Sequence, residues 1–430
     1  MVGPDVERGT VVVRGDRISY VGGDTGMPDV PGARIVDGTG RYLIPGLMDL
    51  HTHVSKTRAS SLGLLVAHGV TTVRDLGGDH DELLRWKEEV KAGTRIGPRL
   101  LIAGPYLESA RNAARQHGTP VHEMIEPVER TRVGVATPDE AARIIDAIAA
   151  RGVDHLKIRT VQDRETYLAI GAAARRHGLA LAGHSQPYAI DDLLASGQRS
   201  IEHAFYPPLD DYTPAERTAV FARLAKAGVL VVPTLVVLER LGSPDDGALK
   251  AAVEAVDRPP DGRCLLSAYL RADWREQLAE QGADRRRVYA ALHASVRRDL
   301  AAMRAAGVRV LAGTDVGVLN VFPGRAIHEE LALLVRDARM TPLEALQAAT
   351  LHAAAGLGLE RELGSIEAGK IADLVLIEAN PLADITRVSQ IAGVVLRGRY
   401  FDRAALDGLL EQVAASRDVA VNDWPRTPKR

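Results

Sequence analysis

Six residues of this chain have the types and order of a metal centre: His51, His53, Lys157, His184, His203 and Asp315. His51 and His53 are spaced i, i+2, which on a β-strand turns both imidazoles to one face. Alone, a His-x-His pair is as easily incidental as metal-binding. The other four strengthen it, because each lies at or near the end of a separate apolar run. Lys157 precedes His184 by 27 residues and His184 precedes His203 by 19, each about one strand-helix step. From His203 to Asp315 is 112 residues, room for another strand, a long insertion and a last strand. One buried histidine is ordinarily a satisfied core residue; six polar groups converging on one place are not.

Lys157 bears on the number of metals. A protonated lysine cannot ligate a cation, but burial beside cations depresses its pKa. The neutral amine can take up CO2 and become a carbamate, an anionic bridge between two ions. The alternative is an ion pair, with Asp315 itself as a possible partner. In the two-ion reading, +4 stands against one carbamate, one carboxylate and one hydroxide. The four imidazoles are neutral, so about one positive charge remains to polarise a carbonyl or phosphoryl oxygen. The single cysteine, Cys264, excludes an intrachain disulfide and any cysteine-based metal site.

These residues need a scaffold that brings strand ends together. Short runs rich in Val, Ile and Leu recur at Leu43–Val54, Val70–Asp75, Arg99–Ala103, Val153–Ile158, Ala180–His184, Arg199–His203, Val229–Thr234 and Val308–Thr314. Without strict alternation, they read as strands covered on both faces. Helix-period stretches lie between, among them Thr137–Arg151, Arg164–His177, Thr213–Ala227 and Arg285–Ala306. Thr137-Pro138-Asp139-Glu140 and Thr213-Pro214-Ala215-Glu216 carry cap, first-turn proline and Glu in helix-start order. Gly152, Gly178, Gly228 and Gly307 stand where left-handed caps close helices. The expectation is an α/β fold, a (β/α)8 TIM barrel over 45–354, with its site at the C-terminal ends of the strands. Residues 10–44 and about 364–403 carry short β-like runs, so 1–44 and 355–430 are expected to form a small β-domain from both termini with a C-terminal tail. Segments 105–136 and 239–284 read as irregular insertions at the barrel mouth, candidates for lids or specificity loops.

Composition bounds the function. The 430 residues are 46% hydrophobic and 26% charged, with a formal charge of −2 and no basic stripe. That argues against nucleic acid and anionic membranes as partners. No eighteen apolar residues run together, and the N-terminus lacks a basic start followed by an apolar stretch. Neither a membrane span nor a signal peptide is expected, and a cytoplasmic location fits.

The chain resembles the amidohydrolase superfamily, in particular its imidazolonepropionase-like, prolidase-related branch. The carriers include LIPGLMDLHTHV (43–54), GVTTVRDLGG (69–78), HLKI (155–158), LAGHS (181–185), SIEHA (200–204), LAGTD (311–315) and GSIEAGKIADLVLI (364–377). The resemblance runs from about residue 10 to 403. It implies that His51, His53 and Asp315 hold a first metal, and His184 and His203 a second, with carboxylated Lys157 as bridge. It implies divalent ions, zinc above all. It also implies attack by a metal-bridging hydroxide, with Asp315 taking a proton from that water and returning it to the leaving group. One-metal relatives such as imidazolonepropionases lack the lysine. Two-metal relatives mostly hydrolyse amides: prolidases, dipeptide carboxypeptidases and N-acyl amino acid amidases. Relatives are commonly homo-oligomers.

The chain departs from this family at two places. Relatives carry Gly-Gly-His after the third strand, where this chain reads PYLESARNAARQHGTPVHEM, so His117 or His122 would have to substitute. Relatives also have another strand ahead of the segment matching Thr10–Val21, which leaves the β-domain one strand short or the true start upstream.

The expected function is hydrolysis of an amide, peptide or N-acyl amino acid, in a small carboxylate-bearing substrate. A lactone, carbamate, cyclic amide or phosphotriester is the alternative bond, and a non-catalytic scaffold the alternative class. Candidate substrate contacts are Tyr188 and Tyr206 as donors to the carbonyl oxygen, and Arg111, Arg115 and His117 for a carboxylate. His328 reads equally as a contact or a helix start. His155 reads as a barrel-interior residue, and Asp75 as a loop anchor.

Overall fold

The run expected as one strand over Leu43–Val54 divides at Gly46 into two strands belonging to different sheets. Gly46 packs its backbone on Thr71, whose Oγ1 would lie 2.1 Å from an added Cβ, and its N–H donates to Asp373. The computed structural model describes residues 8–23, 26–117, 131–161, 163–204, 209, 211–243, 246–257 and 264–416. Its strands, in order, are β1 (Thr10–Arg14), β2 (Arg17–Gly22), β3 (Tyr42–Pro45), β4 (Leu47–Thr52), β5 (Val70–Asp75) and β6 (Arg99–Ile102). There follow β7 (Tyr106–Ser109), β8 (Arg132–Val135), β9 (His155–Ile158), β10 (Ala180–Gly183), β11 (Gln198–Glu202) and β12 (Leu230–Val232). The last are β13 (Arg309–Val310), β14 (Leu374–Ile377), β15 (Ile391–Leu396) and β16 (Arg399–Asp402).

Eight of these make the barrel. β4, β5 and β6 pair in parallel, as do β9 through β13. Asp154 N–H donates to the Ile102 carbonyl at 2.8 Å, joining β6 to the entry of β9. Leu50 N–H to Ala312 (3.1 Å) and Asp315 N–H to His51 (2.7 Å) close the ring between β13 and β4. The second sheet is antiparallel, β16-β15-β14-β3, so a strand from before the barrel pairs with strands from after it. The β1–β2 hairpin docks there through an Arg17–Ile371 bridge and Ile18 N–H to Lys370. The fold is thus an α/β barrel of TIM type with a small β-domain from both termini.

Local signals explain the helices. Thr213 and Glu216 form a full capping box at Pro214–Lys226, and Thr137 accepts from Glu140 N–H at Pro138–Ala150. Gly152, Gly178, Gly228 and Gly307 all have positive φ just before the next strand. The described parts of the two mouth segments carry regular structure where irregular insertions are expected. Residues 105–136 contribute β7, the helix Ala110–His117 and β8, with β7 parallel to both β8 and β9. The other insertion is helical, with Leu235–Gly242, Asp246–Asp257 and Ala268–Ala279 preceding Ala283–Ala305. Among the described residues no helix is long and apolar enough to cross a membrane.

Candidate metal centre

His51, His203 and Asp315 place one ligand atom each within 4.8 Å of one another, a group that could hold a metal ion. His51 Nε2 and His53 Nε2 lie 3.3 and 3.1 Å from the same Asp315 oxygen, Oδ1. The His203 ring is 4.8 Å from His51 and 4.9 Å from His184, centroid to centroid.

The backbone builds this from β4, β10, β11 and the segment after β13. Alternation along β11 should send Glu202 and His203 to opposite faces. His203 instead adopts φ 65° and Ala204 φ 52°, turning the chain so that both residues reach His51. Thr234 and Asp315 are also left-handed, at φ 49° and 58°. Left-handed non-glycine residues cost about 1–3 kcal/mol each and persist where surrounding structure imposes them. Two glycines give the close approaches. A Cβ on Gly183 would meet the Ile158 carbonyl at 1.9 Å, and one on Gly313 would stand 2.9 Å from His51 Cβ. Both belong to the LAGHS and LAGTD segments, so each glycine admits the ligand that follows it or faces it.

Hydrogen bonds fix which ring nitrogens are available. His53 Nδ1 faces the Gly77 carbonyl at 2.9 Å and the Tyr106 hydroxyl at 2.9 Å. A carbonyl can only accept, so Nδ1 carries a proton, and Nε2 is the nitrogen that faces Asp315. His51 Nδ1 likewise donates to Glu202 Oε2 at 2.9 Å, leaving a buried Nε2 without a hydrogen-bond partner. An imidazole held through one nitrogen, with the other aimed at a carboxylate in a buried cluster, is the arrangement of a metal ligand. His203 Nδ1 meets Thr234 Oγ1 at 2.7 Å.

Burial lowers the pKa of His51 to about 3 and of His203 to about 4, with Lys157 adding to both, and it puts His184 well below its usual value. These three imidazoles, of His51, His203 and His184, are therefore neutral and able to donate lone pairs. Burial also brings buried Lys157 down to about 8 against the pull of Glu202 and Asp315. For Asp315, burial opposes ionisation but His51, His53 and His203 outweigh it, holding the carboxyl well below its ordinary range. The donor set, three buried or half-buried imidazoles with free lone pairs and one ionised carboxylate, fits divalent metal.

Several contributors are not evident in the sequence. Glu202 is buried between His51, Arg74 (Nη2, 2.7 Å) and Ser200 (Oγ, 2.5 Å). Asp49 accepts from His51 N–H, Thr314 N–H and Thr314 Oγ1 at 3.2, 2.9 and 2.6 Å, tying the two ends of the barrel seam together. Tyr106 reaches His53 from β7. Only their place in the LIPGLMDLHTHV and SIEHA segments hinted at Asp49 and Glu202; Tyr106 gave no signal.

The substrate-contact candidates scatter. Tyr188 stacks on Tyr167 at 5.6 Å. Arg111 is exposed on its helix. His328 is buried with Nε2 donating to the His68 carbonyl at 2.9 Å, so its ring is held by His68 and not by any of the six. Tyr206 and His122 lie outside the described residues, as do the side chains of Arg115 and His117. His155 is buried against the Asp75 carbonyl, and Asp75 anchors a loop through Val54 N–H and Gly77 N–H.

Comparison with known proteins places this geometry. The sequence profile of the amidohydrolase family matches residues 42–400. Ochratoxinase of Aspergillus niger is 25% identical over 89% of this chain and 80% of its own length. An imidazolonepropionase of Ralstonia nicotianae is 28% identical over 92% of this chain and 93% of its own. Among solved structures, a Xaa-Pro dipeptidase with bound methionine in its active site superposes with a TM-score of 0.67 at 21% identity. It covers 91% of this chain and 94% of its own. With the profile running from β3 into β16, across the whole barrel, and the cluster at the barrel's strand ends, the chain belongs to the amidohydrolase family and is a hydrolase.

Proposed function

We propose that this protein hydrolyses an amide bond, in a peptide or N-acyl amino acid, of a small substrate bearing a free carboxylate. The reading has His51, His53 and Asp315 holding one divalent ion, zinc the leading choice, and His184 and His203 a second. Lys157, as a carbamate, would supply the anionic ligand that the two ions need. The observation that carries it is the pair of Nε2 atoms facing one Asp315 oxygen, each imidazole locked by its Nδ1 proton. When bound, the ions supply Lewis-acid polarisation of the carbonyl and a water acidic enough to attack near neutral pH.

The chain's own residues do the rest. Lys157, brought by burial toward the neutral amine, gains a nitrogen–carbon bond to CO2 and releases one proton. Asp315 is ionised and lies against both β4 histidines, placed to take a proton from the attacking water and return it to the leaving nitrogen. Glu202 and Gly77 keep the β4 imidazoles in the ligating tautomer throughout.

The test is amino-acid release from a panel of dipeptides and N-acyl amino acids. It uses zinc-reconstituted protein supplied with bicarbonate, with and without chelator. Chelator-sensitive release is expected. No release from protein carrying two metal ions would overturn the amidase reading and direct attention to lactones, carbamates and phosphotriesters.

A further inference from the structure

Three strand ends meet beside the metal centre. β7 and β9 are in register at Leu107 and Ile158, and β9 and β10 at Ile158 and Gly183. The ladder continues one step, with Arg159 N–H donating to Leu107 (2.9 Å) and His184 N–H to Ile158 (3.1 Å). Glu108, Arg159 and His184 therefore stand abreast, on the face that Lys157 occupies two residues earlier on β9. Two strand residues span about 6.6 Å, so this row forms the layer directly above the bridging lysine.

Glu108 is 1% exposed and deals with two guanidiniums unequally. Its Oε2 is 2.9 Å from Arg132 Nη1, while its Oε1 is 3.6 Å from Arg159 Nη1, past hydrogen-bond reach. Arg132 is further committed over the Tyr106 ring, 4.9 Å from its centroid. Arg159 is thus oriented but not saturated: among the described residues its buried Nη1 has no hydrogen-bond partner, and its side chain is 35% exposed against 18% for Arg132. Among the described residues, two guanidiniums and one carboxylate leave one positive charge at this place.

We propose that Arg159 is the anchor for the substrate's carboxylate, with buried Glu108 setting the direction of its planar fork. This rests on the amide-hydrolase reading and supplies what Arg111, exposed on its helix, does not. A guanidinium matches a carboxylate with two parallel N–H donors. The anion that can reach both this fork and the metal layer beneath is one close to the scissile nitrogen, as in the C-terminal residue of a dipeptide or an N-acyl amino acid.

The experiment compares an N-acetyl-L-amino acid with its C-terminal N-methylamide, measuring release of the acetyl group by metal-loaded wild type, Arg159→Met and Arg159→Lys. Wild type is expected to favour the free acid. Arg159→Met is expected to shrink that preference about 100-fold, through KM more than kcat, with metal content unchanged. Arg159→Lys keeps the charge beside Glu108, and with it the fold, but loses the bidentate fork; its preference falls about tenfold. Undiminished acid preference in both variants would overturn the anchor while leaving the amidase reading intact. Wild type inactive on both compounds would overturn the anchor together with the reading beneath it.

Discussion

The two sides of the barrel mouth are held by different means. On the β4–β13 side, both β4 histidines have a second bond behind them. Glu202 stands behind His51, Gly77 behind His53, and Asp49 behind both the His51 and Thr314 backbones. On the β7–β9 side, Glu108, Arg132 and Arg159 face one another as charges, with one contact at 3.6 Å and one arginine a third exposed. The first arrangement fixes atoms for chemistry that tolerates little displacement. The second keeps an unspent donor for something that arrives from solvent. On the proposed reading, the closed side specifies chemistry and the open one selectivity.

The largest break of this comparison removes a member of the closed side. Lys157→Ala and Asp315→Ala are each expected to abolish turnover, by about 10⁴-fold or more in kcat, while near-ultraviolet circular dichroism stays native-like. Near wild-type activity in both would remove the two-metal mechanism. A smaller break acts one bond further out. Glu202→Gln keeps the shape but loses the charge that orients His51 and pairs with Arg74. Zinc affinity, measured by chelator competition, should fall by about 10–100-fold. A change confined to kcat, with zinc affinity intact, would show that Glu202 does not position a ligand.

The same contrast explains how far the sequence could be read. The barrel strands were legible because both faces are covered and Val, Ile and Leu accumulate in runs such as VTTVRD and HLKI. The six polar groups were legible because each stands at the end of such a run. What lies behind them was not, because Glu202 and Asp49 find their partners only after β11 and β13 are brought to β4. The left-handed turn at His203 defeats alternation outright, since a period of two places Glu202 and His203 on opposite faces. β7 and β8 escaped notice for a different reason. YLES and RVGV are four residues each, with Glu, Ser, Arg and Gly among them, and carry little β signal. Missing β7 meant missing Tyr106 and Glu108, and with them the reason Arg159 points where it does.

A milder perturbation tests how the closed side depends on buried carboxyls. Glu330 is buried, with its oxygens accepting Leu235 N–H and Val236 N–H at 3.0 and 2.9 Å, directly after Thr234, which contacts His203. Burial raises its pKa to about 8, although the two N–H donors pull the other way. A folded pKa above the unfolded one means that folding takes up a proton. The stabilisation is complete below about 4.5 and is lost as pH rises through about 8. Glu330→Gln stays neutral, so its melting temperature should fall less than that of wild type between pH 6 and pH 9. Parallel losses in the two proteins would show that Glu330 is already ionised at pH 6.

The smallest expected effect sets the boundary between the two sides. Tyr106 belongs to β7 but touches the closed side, sharing the His53 Nδ1 proton with the Gly77 carbonyl at equal distances of 2.9 Å. Tyr106→Phe removes one acceptor and leaves the other, so the tautomer stays fixed and zinc affinity should change by no more than about threefold. The ring beneath Arg132 remains, and the cation–π contact at 4.9 Å with it. A tenfold or greater loss of zinc would mean that the open side helps to hold metal. Chemistry and selectivity would then share one residue at the top of β7, and variation in that segment could not alter substrate choice without weakening the metal centre.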